Sequence, residues 1–202
     1  TAGLSANAYM DTVTSFSASL ISSLNGDTEA AARAANQAIV DMSDNANKMG
    51  TDMSLIQSAY QGFAKQNYTM LDNLKLGYGG TKTEMERLLK DAEKISGVKY
   101  DISNLNDVYS AIHVIQTEMG ITGTTAAEAE KTISGSANAM KSAFENLLTG
   151  FGNADADMQV LVKNLADSLN TVIKNITPVL NNIVSVLPTV LDALLGAIGQ
   201  ML

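Results

Sequence analysis

Apolar side chains recur every three or four positions along most of the chain, which is the spacing of amphipathic α-helices. The run over residues 5–24 is followed by Gly26, and the run over 35–49 is followed by Gly50. Glycine at such a position is typical of a helix C-terminus, because it adopts a left-handed backbone without strain. A third apolar run covers residues 53–63. The pattern therefore predicts successive helices joined by short turns.

Two pairs of residues mark the starts of later helices. Thr81 with Glu84, and Thr125 with Glu128, have the spacing of a capping box, in which both side chains bind free backbone N–H groups of the first turn. No stretch of four or more residues shows the apolar–polar alternation of a half-buried strand. The sequence predicts an all-α protein of six to eight helices, arranged as helical hairpins or as an elongated bundle.

The apolar pattern divides the chain near its last quarter. We expect a helical block over residues 1–152 and an amphipathic, then apolar, helical segment over residues 153–202. Pro188 is expected to break this second segment, because proline lacks the N–H that a helix interior needs. The chain starts at Thr1 without a signal-like leader, and we interpret it as a piece of a longer protein that continues past residue 202.

The most regular stripe begins at Met158. Its spacing alternates between four and three residues, as in a seam between paired helices. We predict self-association of several copies along this seam. It consists of Met158, Val162, Leu165, Leu169, Val172 and Ile176.

The end of the chain is almost uncharged. Asp192 is the only charged residue after Lys174, and residues 183–202 include thirteen apolar residues in twenty. That length suits a membrane-spanning helix, but Pro188 and a central Asp192 disfavour one. We therefore predict a packed or self-associating apolar helix, with membrane contact as the alternative. The residues available for that contact are Ile183, Val184, Val186, Leu187, Val190, Leu191, Leu194, Leu195 and Ile198.

Composition removes several classes of function. The 202 residues carry 13 Lys and Arg against 21 Asp and Glu, so the net charge is −8 and direct sequence-specific binding of nucleic acid is not expected. The chain has no Cys and one His, which excludes disulfides, thiolate catalysis and metal sites with Cys or paired His ligands. We expect no cofactor.

The remaining candidates for chemistry have structural interpretations. His113 lies beside an apolar stripe with no nucleophile near it in sequence, so we expect a structural side chain. Asp155 and Asp157 suit a helix N-terminus better than a calcium loop. The glycines of 77–80 lack the Gly-Lys-Ser/Thr of a phosphate loop. The sequence therefore predicts a protein that is not an enzyme.

Three stretches resemble a known family. Residues 42–63 lead into 60–97, which contain Gly-Tyr-Gly-Gly at 77–80. Residues 120–150 combine an Ile-Ser-Gly-Ser turn with a Met-Lys-x-Ala-aromatic helix, whose aromatic residue is Phe144. These blocks are similar to segments of tail tape measure proteins from long-tailed phages and prophages of Gram-positive bacteria. The family commonly has Trp where this chain has Phe144.

The resemblance implies a non-enzymatic virion protein. Tape measure proteins fill the tail lumen during assembly in the host cytoplasm, set the length of the tail tube and leave ahead of the DNA. The implied partners are the tail tube protein, tail assembly chaperones, other copies of the chain and, during ejection, the host membrane.

Two other classes of function stay open at this stage. One is a membrane-active protein, pore-forming or bacteriocin-like, that acts through residues 176–202. The other is a lysis-related hydrolase, for which His113 gives only weak support.

Overall fold

The computed structural model describes the backbone of residues 4–201 and the side chains of residues 4–192. Over this range the chain is all-α, as the sequence predicts. It forms nine α-helices within the described part, one more than the upper limit of the prediction. They are α1 Ala6–Thr14, α2 Ser17–Ser23, α3 Thr28–Met49, α4 Met53–Phe63, α5 Lys82–Ser96, α6 Leu105–Glu118, α7 Thr124–Lys131, α8 Ile133–Phe151 and α9 Met158–Met201, with a short 3₁₀ helix over Leu71–Leu74.

The extra helix arises where one run of the sequence is split. Residues 5–24 form α1 and α2, because Phe16 leaves helical geometry with φ −136° and ψ 0°. This places the Phe16 ring edge-on to Tyr109, with ring centroids 5.6 Å apart. Burial of the aromatic ring thus accompanies the break, which helical periodicity alone does not reveal.

The chain divides into two compact units, Thr1–Ala127 and Glu128–Leu202. This boundary lies earlier than the division at residues 152 and 153 expected from the sequence. The reason is that α8, which the prediction assigned to the first block, packs on α9. We call the two parts the N-terminal unit and the C-terminal unit.

The N-terminal unit surrounds α3, which packs against α1, α2, α4 and α6. Every buried apolar side chain that the structure describes lies in this unit, between Phe16 and Ile121. At its centre Tyr60 and Tyr109 have ring centroids 4.9 Å apart, and the Tyr109 hydroxyl donates to the Tyr60 carbonyl at 2.8 Å. The periodic stripes of the sequence therefore identify a real core.

Two predictions about helix ends differ in outcome. The Thr81 hydroxyl accepts a hydrogen bond from the Glu84 N–H at 3.2 Å, which confirms this helix start. The box predicted at Thr125 is wrong: α7 begins at Thr124, so Thr125 lies inside the helix, and its buried hydroxyl has no hydrogen-bond partner. The α7 N-terminus is instead bound by Asp44 of α3, a contact between residues distant in sequence.

The break expected near Pro188 is also wrong. Helix α9 continues through both Pro178 and Pro188. Each proline removes one helical hydrogen bond, to the carbonyls of Lys174 and Val184. Both of these residues are exposed, so water can reach the freed carbonyls and the helix need not stop.

Candidate interaction surface

Helices α8 and α9 form an antiparallel hairpin. At one end the Asn175 side-chain amide donates to the Thr132 carbonyl at 3.0 Å, just before α8 begins. At the other end a Cβ on Gly150 would overlap Cδ1 of Leu161 and lie 3.3 Å from Sδ of Met158. The absence of a side chain at Gly150 therefore leaves room for Leu161 and Met158 of α9 beside α8.

The contact between α8 and α9 consists mainly of small or partly covered side chains. Ser136 and Gly150 are the only buried residues of α8. Most of its other inward positions are half-buried, as are their partners on α9. These positions are Ala139, Ala143 and Leu147 on α8, and Leu161, Leu165, Ser168 and Val172 on α9.

The predicted seam lies partly on this contact and partly outside it. Met158, Leu165, Val172 and Ile176 are half-buried, whereas Val162 is 54% exposed and Leu169 is 47% exposed. The residues of α9 that lie beside α8 are instead Leu161 and Ser168, which directly precede Val162 and Leu169 in the sequence. The hairpin therefore partly covers the seam and leaves two of its six residues free.

A second apolar stripe follows each packing face. In α8 an exposed large apolar residue directly follows each of the inward residues Ala143, Leu147 and Gly150. In α9 an exposed large apolar residue likewise follows each of the inward residues Leu161, Ser168 and Val172. We call the exposed large apolar residues of these stripes the apolar face. Its members are Ile133, Phe144, Leu148 and Phe151 on α8, and Val162, Leu169, Ile173, Leu180, Val184, Leu187 and Leu191 on α9.

The apolar face lies on one side of the hairpin. One residue along an α-helix is a rotation of about 100°, so each stripe is about a quarter turn beyond its packing face. The two helices run in opposite directions, and seen from one end their rotations therefore have opposite senses. Both stripes consequently emerge on the same side of the hairpin.

Helix α9 extends past the part that α8 covers. All described side chains from Thr177 to Asp192 are exposed, including Ile183, Val184, Val186, Leu187, Val190 and Leu191 from the predicted membrane-contact set. Leu194, Leu195 and Ile198 lie outside the residues whose side chains the structure describes. Among the described residues, none of the helices combines the length and the hydropathy needed to cross a bilayer.

Sequence reasoning missed part of this surface. The members of the apolar face that were not predicted as site residues are Ile133, Phe144, Leu148, Phe151, Ile173 and Leu180. The available signal is a series of adjacent apolar pairs. It runs Leu147–Leu148, Leu161–Val162, Val172–Ile173, Val179–Leu180, Ile183–Val184, Val186–Leu187 and Val190–Leu191. A seam at heptad spacing contains only one residue of each pair. The other residues of the pairs form a second apolar stripe along the same helix.

His113 lies in the N-terminal unit beside a buried carboxylate. Its Nδ1 is 2.8 Å from Oδ1 of Asp41, to which the Gln37 amide also donates at 3.0 Å. The hydrogen bond to Asp41 raises the pKa of His113, and burial raises the pKa of Asp41 despite that bond. The imidazole Nδ1 also lies 3.2 Å from the Gln37 amide nitrogen, so His113 connects α6 to two polar side chains of α3.

The other candidates for chemistry also have structural contacts. Asp157 accepts from the Val160 N–H at 3.1 Å, at the start of α9, and the Asn153 side chain accepts from the Asp155 N–H. In the 77–80 loop, Arg87 donates to the Gly77 carbonyl at 2.8 Å and stacks over the Tyr78 ring. These contacts fix helix ends and a turn.

Neither a metal site nor a known relative identifies the chain. Across the described residues, no three His, Cys, Asp or Glu side chains are grouped so that they could hold a metal ion. No protein-family model, curated protein or solved structure matches the chain. Among the described residues, the apolar face is the feature that indicates contact with another molecule.

Proposed function

We propose that this chain is a structural virion protein, a segment of the tail tape measure protein of a long-tailed phage or prophage of Gram-positive bacteria. The observation that carries the proposal is α9, a helix of 44 residues whose apolar side chains stay exposed along most of its described length. Large exposed apolar surfaces mark sites of contact with another protein or with a membrane, and an assembly supplies the former. The three stretches that resemble the family support the same interpretation.

The two units suit different parts of this role. As a continuous helix, α9 spans about 66 Å, which is the geometry that a molecular ruler requires. The N-terminal unit instead has a packed core of buried apolar side chains. In this proposal the partners are the tail tube protein, tail assembly chaperones and other copies of the chain, in the tail lumen and, before that, in the host cytoplasm.

Tail length tests the proposal directly. In a phage that encodes this chain, an in-frame deletion of residues 162–189 removes four heptads of α9 and should shorten the tail by about 42 Å. The control deletes residues 1–27, which contain α1 and α2, and should not shorten the tail in proportion to the residues removed. Electron microscopy of the tails measures both effects. Tails of normal length after the α9 deletion contradict a measuring role.

A membrane-active protein is the second candidate. The exposed apolar side chains from Val179 to Leu191 favour it, because a helix of this type can lie at a lipid surface. Dye release from vesicles by the full chain tests this function. Release by the wild type that is lost in Leu187→Glu favours membrane activity, and intact vesicles favour the virion protein.

A further inference from the structure

The apolar face exposes an unusual amount of carbon surface for one hairpin. Phe151 is 72% exposed, and Phe144, Leu148, Ile173 and Leu180 are each about half exposed. With the other members of the face, the exposed apolar area is on the order of 1,000 Å² per chain, above the roughly 800 Å² that each partner buries in a standard stable complex. The face is therefore large enough to form a specific interface by itself.

Charge disfavours an anionic membrane as the occupant. Residues 128–202 contain four Lys and seven Asp or Glu, so this unit has a net charge of 4 − 7 = −3. Helices that bind such membranes through an apolar side carry Lys and Arg on the polar side, because the lipid headgroups are negative. This unit has the opposite balance.

Two ion pairs of the hairpin each lie within a single helix. Lys141 is 4.0 Å from Glu145 on α8, and Lys163 is 2.6 Å from Asp167 on α9. A copy of the same surface would therefore meet pairs that are locally neutral. Together these four charges add no net charge to the hairpin.

We propose that the apolar face binds the same face of a second copy, so that two hairpins form a twofold-symmetric, four-helix dimer. A symmetric dimer uses one patch on both subunits, and a single self-neutral apolar patch meets that requirement. Burial between helices is also the usual way in which four amphipathic helices form a stable core. This inference deepens the proposed function, since it names the surface through which copies of the chain meet.

The inference differs from self-association along the predicted seam. Met158, Leu165, Val172 and Ile176 are partly covered by α8, so an interface that uses the whole seam requires the hairpin to open. The dimer proposed here keeps the hairpin closed. It uses Phe151 and Ile173, which do not belong to the seam.

The oligomeric mass of the full 202-residue chain tests the dimer. Light scattering coupled to size exclusion should give twice the 21.3 kDa of one chain at about 100 µM, a concentration at which even a micromolar dimer is almost complete. Ile173→Glu and, separately, Phe151→Glu should raise the Kd at least about tenfold, because each puts a charge into the apolar interface. Sedimentation equilibrium measures this change.

Asn164→Glu is the matched control. Asn164 is exposed on the same helix, and nine residues from Ile173 are about two and a half turns, which places it on the opposite side. This variant should dimerise like the wild type. All three substitutions are at exposed positions, and an unchanged circular dichroism spectrum checks that each variant is folded.

Several results would overturn the inference. The first is a wild type that is monomeric at about 100 µM or has a mass other than that of a dimer. The second is an equal weakening of dimerisation by Asn164→Glu and Ile173→Glu. The third is a monomer that co-sediments with phosphatidylcholine vesicles. None of them changes the expected tail length. Conversely, tails of normal length after the α9 deletion count against the ruler and leave the measured mass of the purified chain unaffected.

Discussion

Gly80 is the residue at which the 77–80 loop meets the backbone of Thr69. A Cβ at this position would overlap the Thr69 carbonyl oxygen, which cannot move aside as a flexible side chain can. We expect Gly80→Ala to lower the free energy of unfolding of the N-terminal unit by about 2 kcal/mol or more. Urea denaturation followed by tyrosine fluorescence measures this, because all six Tyr of the chain lie in that unit.

The neighbouring glycine supplies the control. A Cβ on Gly79 would lie 3.5 Å from Cγ of Glu84, an ordinary contact, and neither glycine has a positive φ. Gly79→Ala should therefore stay within about 0.5 kcal/mol of the wild type. Equal losses for the two variants would show that the Thr69 contact is not the cause.

Asp41 and His113 give the N-terminal unit a pH-dependent stability. The hydrogen bond to Asp41 raises the pKa of His113 above its ordinary 6.5, so the folded state binds this proton more tightly than the unfolded chain does. The corresponding stabilisation is complete below about pH 6.5 and is lost as the pH rises through the raised pKa. The raised pKa of Asp41 also makes the folded state less stable as the pH rises, and this loss begins above the ordinary pKa of 3.8.

His113→Ala tests this linkage. At pH 6 it should lower the free energy of unfolding by about 1–3 kcal/mol, because the buried Asp41 carboxylate loses its cationic partner. The loss should shrink as the pH rises from about 6.5 through the raised pKa of His113. Urea titrations from pH 5 to pH 9 measure it, and the same substitution made together with Asp41→Asn should show little pH dependence. A loss that grows toward high pH would reverse the predicted sign.

At the scale of elements, Asp44 holds the start of α7. Its two carboxylate oxygens accept from the Gly123 N–H at 2.6 Å and the Thr125 N–H at 2.8 Å. Asp44→Ala leaves these donors unpaired and should cost about 1–3 kcal/mol. Hydrogen exchange read by mass spectrometry should become faster in residues 120–131.

Asp27 provides the comparison for this prediction. It caps its own helix, α3, by accepting from the Ala30 N–H at 2.9 Å. Asp27→Ala should cost about 1 kcal/mol, as is usual for a local cap, and leave exchange in residues 120–131 unchanged. Faster exchange there in both variants would mean that global unfolding, rather than the Asp44 contact, controls α7.

At the scale of the whole molecule, the two units should differ in independent stability. The N-terminal unit contains all the described buried apolar side chains, whereas Ser136 and Gly150 are the only fully buried residues described from Glu128 onward. We therefore expect residues 1–127 alone to unfold cooperatively, with the same tyrosine-detected midpoint as the full chain. Residues 128–202 alone should lose helicity on dilution, as circular dichroism can measure. A fragment 1–127 without a cooperative transition would contradict this division.

The sequence was informative where a contact is local or a stripe faces one core. It predicted the all-α class, the cap at Thr81 and two buried stripes, one with Ile39 and Met42 and the next with Tyr60. It did not predict the split at Phe16 or the cap of α7 by Asp44, because each depends on a residue more than seventy positions away. It also divided the chain too late, since periodicity does not say which helix α8 packs against.

For the candidate site, the sequence by itself determined that residues 158–191 carry an apolar repeat at helical spacing, because that repeat is a property of the chain alone. The tertiary structure decided which part of the repeat is covered. Each adjacent apolar pair presents two side chains about 100° apart, and a single neighbouring helix can cover only one of them. The position of α8 therefore decides that Leu161 and Val172 face the hairpin while Val162 and Ile173 remain exposed.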